Sequence, residues 1–532
     1  MKYSHDLTGE FAGYLADESR RIGVAESIAL AECEDDIVRV MQQAAETGVP
    51  VTVQSGRTGI TGGSSPDGGT ILNVGRMARV TGMRVDAVAE RYVVQVEPGV
   101  TLKGLNTALV NGGDFDVTGW SAESLAALAR YRRLGHGHVF PPDLTEAGAC
   151  IGGVVANNGS GARSFRYGPA RPHVMALRVV LSGGDLLVLR RGACQTSGRS
   201  FALESSTGTR YAGKVPDYRM PAVKNASGVY AADDMDLIDL FIGSEGTLGV
   251  ISAIELALTP LPTVAWGLTA FLPSEAAALD WVERLRLDRQ GMAAIEYFSA
   301  EALSLLRACR ADNPAFGALP VIPLHWHTAV YVEFHGESES EVEQAMEVAS
   351  TALAECGGRL DDTWLATSRQ EIDVFKGIRH AVPEAVNLCI AERKKSIPKL
   401  TKLGTDLSVP DEGLRQVMAM YHQDLRAAGL EYVIFGHIGN NHVHVNILPK
   451  TLEEYDRGKA IYRDWARRVV SMGGSVSAEH GIGKLKTEML DMMYGPDGVA
   501  QMRALKRVFD PRMLLNRGTL FPYVACPPEG TV

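Results

Sequence analysis

"FIGSEGTLGVI", Phe241 to Ile251, sets one carboxylate, Glu245, among glycines in an otherwise apolar run. The run reads as buried, and a buried carboxylate is costly unless hydrogen-bonded. It lies inside "DDMDLIDLFIGSEGTLGVISAIELALTPLP", which reads as a helix, a glycine turn and strands closing on prolines near Pro262. Two more glycine loops precede it. "QSGRTGITGGSSPDGG" (Gln54 to Gly69) follows the strand-like "VPVTVQS", and its glycines permit positive φ and exposed amides that can cradle a pyrophosphate. It matches neither the Walker loop nor GxGxxG. "FPPDLTEAGACIGGVVANNGSGARSFRYG" (Phe140 to Gly168) joins a Pro-Pro turn to small residues that let a backbone approach a flat ring or a phosphate. The first loop, taken alone, reads equally well as a glycine-rich surface turn.

A chain of 532 residues implies two or three domains. It is 45% hydrophobic and 22% charged, as in soluble globular proteins, and no apolar run approaches the roughly 18–20 residues of a membrane span. The opening "MKYSHDLTGEFAGYLADESRR" lacks an apolar signal core, so a cytoplasmic protein without an anchor is expected. The net charge of −10 argues against nucleic acid, and "RKK" at Arg393 to Lys395 reads as a solvated face. The seven cysteines (Cys33, Cys150, Cys194, Cys309, Cys356, Cys389, Cys526) form no CxxC pair. Thiolate-held iron–sulfur or zinc is thereby disfavoured, and reduced, mostly buried thiols are expected.

The first part alternates helix and strand patterns: "DDIVRVMQQAAETG" is helical with a glycine stop, "YVVQVEPG" and "MALRVVLSGGDLLVL" are strands. From about Ala265, "GLTAFLPSEAAALDWVERLR" and "HTAVYVEFHG…ESEVEQAMEVASTALAECGG" repeat a strand–helix order, suiting an α+β sheet with helices on one face. "EYVIFGHIGNNHVHVNILP" reads as a hairpin, and period-two alternation puts Val433, Phe435 and His437 on one face, as it does His442, His444 and Asn446. Two facing imidazoles suit a zinc-like ion if a third ligand arrives. "SVSAEHGIGKLK" offers Glu479 and His480. Histidines exposed on an edge hairpin are the other reading of the same residues.

The three glycine loops, in this order, resemble the FAD-binding domain of vanillyl-alcohol-oxidase type flavoproteins. The branch most resembled is the D-2-hydroxy-acid dehydrogenases: D-lactate dehydrogenase, the FAD subunit of glycolate oxidase and D-2-hydroxyglutarate dehydrogenase. "FDPRMLLNRGTLF" is similar to that family's closing segment, with Arg517 where a proline is usual. The likeness covers nearly the whole chain, and "IGSEGTLGVI" is its most specific motif. The implied fold is α+β: a two-subdomain FAD-binding domain over 1–262, an α+β substrate- and metal-binding cap over 263–480, and a helical segment over 481–532 packing back toward the flavin. Implied FAD contacts are Gly56, Arg57, Thr58 and Gly59; Pro142, Gly152, Gly153, Asn157 and Gly161; Glu245 and Ile251; and Asn516. The first loop contains no histidine, which implies non-covalent FAD. Arg57 interrupts a usual run of glycines. The stretch Arg190 to Tyr230 is longer and less regular than the family pattern and receives no role.

The family also carries a similar Gly-His-x-Gly-Asp-Gly-Asn-x-His-x-Asn run followed by Glu-His-Gly. The resemblance implies His437, His444 and Glu479 as metal ligands, Asn446 as a substrate contact and His480 as the catalytic base. Asn440 replaces an Asp and His442 an Asn; His442 is a fourth ligand, a supporting donor or a substrate contact. Zinc is the first choice of divalent ion, with iron and manganese open. Arg379 resembles the family's carboxylate-binding arginine. Pro383 stands where D-2-hydroxyglutarate dehydrogenase has a hydroxyl residue. Gly404 stands where a lysine is usual, and Lys402 is the replacement candidate. The implied reaction oxidises a D-lactate-like 2-hydroxy acid: the ion acidifies the hydroxyl, His480 takes its proton, and hydride passes to flavin N5. Electrons then go to an external acceptor: electron-transfer flavoprotein, a cytochrome, a quinone or an iron–sulfur subunit. A homodimer is compatible. Competing readings are a metallohydrolase on the same His-His-Glu set, a non-catalytic FAD subunit of a larger redox complex, and an alkyl-transfer enzyme.

Overall fold

The computed structural model describes residues 1–86, 88–134, 137–317 and 319–523, the side chains of 315, 369 and 376 excepted. The stretch quoted first feeds the strand Val250–Ala257, which lies at the centre of a five-stranded sheet. That sheet runs Val80–Asp86, Arg91–Val96, Val250–Ala257, Val174–Val180, Leu186–Arg190, antiparallel throughout. Beside it is a four-stranded sheet in the order Lys2–Ser4, Ser27–Leu30, Thr70–Asn73, Val51–Gln54, whose last three strands are parallel. The helix Glu34–Thr47 ends on Gly48 at φ 75°, the left-handed stop its sequence signals. These two sheets are the paired subdomains of the expected fold. The closing helical stretch Thr487–Phe509 is kinked at Gly495, and the chain beyond it returns to bridge Leu515 to Val51.

A seven-stranded antiparallel sheet follows. Its order is Thr363–Ala366, Val264–Leu272, Thr328–Gly336, Met292–Phe298, Tyr432–His437, His442–Ile447, Leu403–Gly404. Alternation explains its two faces. Leu268, Val332, Ile295, Ile434, Val443 and Val445 point to one side and join the large core with Trp281, Leu285, Leu425 and Trp465. Their alternates include Glu333, Glu296, His437, His442, His444 and Asn446, which are buried or nearly so. Serines cap four helices of this region, Glu275–Leu287, Ala300–Asp312, Glu339–Glu355 and Arg369–Ser396, each accepting an amide of the first turn.

Two expectations are corrected. Helices cover both faces of this sheet, because Phe271, Phe298, Val433 and Phe435 make one end of the polar face apolar. Leu303, Leu306, Ile378 and Val382 of two helices pack there. The thiols are not mostly buried: Cys150 is, Cys33 and Cys194 are exposed, and Cys309, Cys356 and Cys389 are intermediate. Their positions lie in loops and on half-covered helix faces. Cys526 lies outside the described residues. No helix among the described residues is long and apolar enough to cross a membrane.

Candidate functional site

The three glycine loops and the closing segment surround one cavity of about 370 Å³. Of the twelve residues expected to hold FAD, eleven line it: Gly56, Arg57, Thr58, Gly59, Gly152, Gly153, Asn157, Gly161, Glu245, Ile251 and Asn516. Pro142 is buried beside it and does not line it. The glycines differ in purpose. A Cβ on Gly161 would meet the Asp143 carbonyl oxygen at 1.8 Å, and one on Gly152 the Pro98 side chain at 2.6 Å. At Gly59 and Gly153 a Cβ meets nothing within 4 Å. The first pair permits packing, whereas the second leaves open the space a ligand would fill. Arg57, at φ 58°, turns its guanidinium onto the Tyr14 ring and the Gly13 carbonyl, so its charge anchors the N-terminal segment.

Glu245 resolves the question its sequence raises. Its two oxygens accept the amides of Ile482 (2.8 Å) and Gly483 (2.7 Å), and burial pushes its pKa up to about 7. Asn516 bridges the same region, donating to the Glu245 carbonyl and accepting from the Val53 amide, both at 2.7 Å. The motif thus fastens the loop that carries Glu479 and His480 to the flavin-side loops.

Where that loop meets the seven-stranded sheet, four groups converge. One ligand atom each from His437, His442, His444 and Glu479 lies within 4.8 Å of all the others. The hairpin register pairs His437 with His442 and Phe435 with His444, and an outer strand covers the hairpin. His442 is fully buried and His437 nearly so, unlike histidines on an exposed edge. Each imidazole spends one nitrogen outside the cluster. His437 Nδ1 is 2.6 Å from Glu296, His442 Nε2 is 3.1 Å from Asp406, and His444 Nδ1 is 3.1 Å from the Thr405 carbonyl. The other nitrogens face Glu479: His437 Nε2 at 3.2 Å and His442 Nδ1 at 4.0 Å from Oε1, His444 Nε2 at 3.9 Å from Oε2. Both His442 nitrogens are buried without a well-aligned hydrogen bond among the described residues, Nε2 facing the Asp406 carboxylate and Nδ1 facing the cluster. Metal-binding histidines are held by outer acceptors in this way, and an orphaned lone pair fits a cation.

Electrostatics agree. Burial lowers His442 to about 4 and, with His442 beside it, puts His444 well below its ordinary value, so both are neutral donors at pH 7. His437 is opposed by burial, yet Glu296 and Glu479 hold it above its ordinary value. Burial works against Glu479 and Asp406 too, but Lys224 and His437 beside the one, and His480 and Lys486 beside the other, hold both carboxyls well down.

His480 lines the glycine-lined cavity with Glu479 and His437. Its Nδ1 lies 3.2 Å from Asp406 Oδ2 and its Nε2 4.0 Å from Glu479 Oε2. Asn446 shares the cluster's sheet face, two residues beyond His444 and opposite Gly404. Arg379 is already engaged, 3.2 Å from Asp143 and 3.8 Å from Glu296. Lys402, which burial and Arg20 push down in pKa, does not line the flavin cavity. Sequence reasoning gave no role to Glu296, Asp406 or Lys224. An acid in the apolar strand "MAAIEYF" was the available signal for Glu296, and Asp406 stands two residues past Gly404 in "KLGTDLSVP". Lys224 lay in the stretch left without a role.

Residues 261–520 match the family described as FAD linked oxidases, C-terminal domain, and residues 25–127 and 117–190 match that described as FAD binding domain. A D-lactate dehydrogenase of Anaerostipes hadrus is 26% identical over 95% of this chain and 91% of its own. A D-2-hydroxyglutarate dehydrogenase of Xanthomonas citri pv. viticola is 27% identical over 93% and 89%. The solved 4-ethylphenol oxidase of Gulosibacter chungangensis superposes with a TM-score of 0.63 over 98% of this chain and 94% of that one, at 16% identity. That likeness concerns the fold, which is of the vanillyl-alcohol-oxidase type. With both domains matched in chain order, the protein belongs to the FAD-linked oxidases, an enzyme family.

Proposed function

We propose that this protein oxidises a D-lactate-like 2-hydroxy acid to the 2-oxo acid, using non-covalent FAD and a divalent ion. The observation that carries the reading is the four-donor cluster opening, through His437, Glu479 and His480, onto the glycine-lined cavity. When bound, FAD supplies the two-electron acceptor and the ion the Lewis acid that makes the hydroxyl acidic. His437, His444 and Glu479 hold the ion, with His442 as a fourth donor; zinc suits this nitrogen-rich set best. His480 takes the hydroxyl proton at Nε2, while Asp406 fixes Nδ1–H and the ring. Arg379 and Asn446 receive the carboxylate. Gly404, uncharged and opposite Asn446, favours a short substrate over a dicarboxylate. Residues 1–262 hold FAD, 263–480 the ion and substrate, and 481–532 close the flavin cavity. Electrons leave to an external carrier.

Anaerobic mixing with a panel of D- and L-2-hydroxy acids tests the reading. Flavin absorbance should bleach with D-lactate or a close analogue and stay with the L-enantiomer. A protein that stays yellow with every acid tried would sink it.

A further inference from the structure

The buried ammonium of Lys224 stands against the cluster, and the reaction above does not use it. It comes from the irregular stretch between the strands Arg210–Lys214 and Val250–Ala257, and only 7% of its side chain is exposed. Its Nζ hydrogen-bonds Glu479 Oε1 and lies 3.3 Å from the Gly161 carbonyl. Oε1 is the same oxygen that His437 Nε2 and His442 Nδ1 approach. An ammonium therefore stands against the carboxylate oxygen that a metal ion would share.

We propose that Lys224 is a tethered counter-ion for Glu479, in competition with the divalent ion for that carboxylate. The inference rests on the metal reading above. The backbone around Lys224 is fixed. Its carbonyl accepts Ser408 Oγ at 2.7 Å, Asn225 Oδ1 accepts Ser475 Oγ at 2.6 Å, and the Ala226 amide donates to the Ser477 carbonyl at 2.8 Å. The segment is thus bonded to the residues immediately before Glu479, and the ammonium yields by turning its side chain alone. There is somewhere for it to turn. Lys224 also lines a second cavity with Ser160, Ser164, Asn225 and Asn440, and Asn440 Oδ1 is buried without a hydrogen-bond partner among the described residues. That oxygen is an acceptor for a displaced ammonium.

The charge argument gives the sign. Without an ion, removing Lys224 leaves the buried Glu479 with His437 as its nearest compensating group, a costlier state. With an ion bound, the ion supplies the compensation, and a neighbouring positive charge only opposes it. Losing Lys224 therefore destabilises the ion-free protein more than the loaded one, and by linkage binding tightens. A residue that merely braces Glu479 from outside does the reverse, and its loss weakens binding by roughly 10–100-fold.

The experiment uses the full chain with FAD bound, stripped with a chelator and titrated with Zn²⁺ against a chromophoric competitor. Lys224→Met should bind Zn²⁺ tighter by about tenfold or more. Its thermal midpoint should fall in the ion-free form and largely recover when loaded. Lys224→Arg, which keeps the charge, should stay near wild type. Should Lys224→Met fail to fold, Lys224→Gln keeps the length and drops the charge, with the same expectation. Equal or weaker binding in the neutral variants, or an equal midpoint loss in both forms, overturns the proposal while leaving the metal reading intact. A wild-type protein that takes up no ion overturns both.

Discussion

His480 Nδ1 lies 3.2 Å from Asp406, which leaves Nε2 as the basic lone pair, and the ring lines the flavin cavity. A base so held is expected to matter for rate and little for assembly. His480→Ala should slow flavin reduction by a factor on the order of 10² to 10⁴, with metal content nearly unchanged. Stopped-flow reduction and elemental analysis read the two effects, and metal lost with His480 would instead make it a ligand. Glu245 offers a test of a different kind. Its folded pKa of about 7 exceeds the unfolded value near 4.5, because burial disfavours the charge. The proton is thus bound more tightly in the folded state. This group's contribution is complete below pH 4.5 and is lost as pH rises through 7, by about 3 kcal/mol in all. Glu245→Gln cannot titrate, so the stability difference between wild type and variant, measured by urea unfolding, should move against wild type from pH 4.5 to 7.5. A difference that stays flat would place the carboxylate's proton equilibrium elsewhere.

At the scale of elements, the glycine loops and the histidine hairpin were legible and their partners were not. Alternation alone put His437 on one face of its strand and His442, His444 and Asn446 on one face of theirs, and the register agrees. Glu296 was hidden because its strand pairs with the hairpin across 141 residues of sequence, a contact no local pattern encodes. Lys224 was hidden likewise, reaching Glu479 across 255 residues. The helices Ala300–Asp312 and Arg369–Ser396 on the second face were not foreseen, since a strand–helix repeat does not say which face each helix covers. Within the second glycine loop, the structure separates positions that look alike in sequence. Gly161→Ala drives a Cβ into the backbone that carries Asp143, the partner of Arg379, and should cost roughly 1–3 kcal/mol or more. Gly153→Ala meets no protein atom within 4 Å, so the fold should persist while FAD binds more weakly. Thermal melts beside flavin content separate the two, and equal loss of stability in both would mean the open space at Gly153 is not for a ligand.

Across the whole molecule, the glycine-lined cavity and the four-donor cluster are built by different sheets that meet along one seam. The cavity walls come from loops leaving the four- and five-stranded sheets and from Asn516 of the closing segment. The cluster comes from the seven-stranded sheet and the loop of Glu479. Among the described residues, only His437 and Glu479 belong to both, with His480 beside them on the cavity wall. Glu245, which the sequence marked only as a carboxylate in need of partners, ties the loop of Glu479 to the glycine loops, while Arg163 to Glu333 and Arg379 to Asp143 also cross between the two parts. Removing the ion should therefore disable substrate oxidation without releasing the flavin. After exhaustive chelation the protein should remain yellow and still bleach with dithionite, which needs no substrate site. A D-2-hydroxy acid that bleached the untreated protein should no longer do so, and Zn²⁺, or manganese if that is the native ion, should restore the reaction. The neutral lone pairs of His442 and His444 and the strongly depressed Glu479 carboxyl keep three donors ready for rebinding at neutral pH. Acidification below about pH 4 should protonate His442 and slow that recovery. Substrate bleaching that survives chelation, with metal shown absent by elemental analysis, would take the ion out of the reaction. Flavin lost together with the metal would instead mean that the two sites are one.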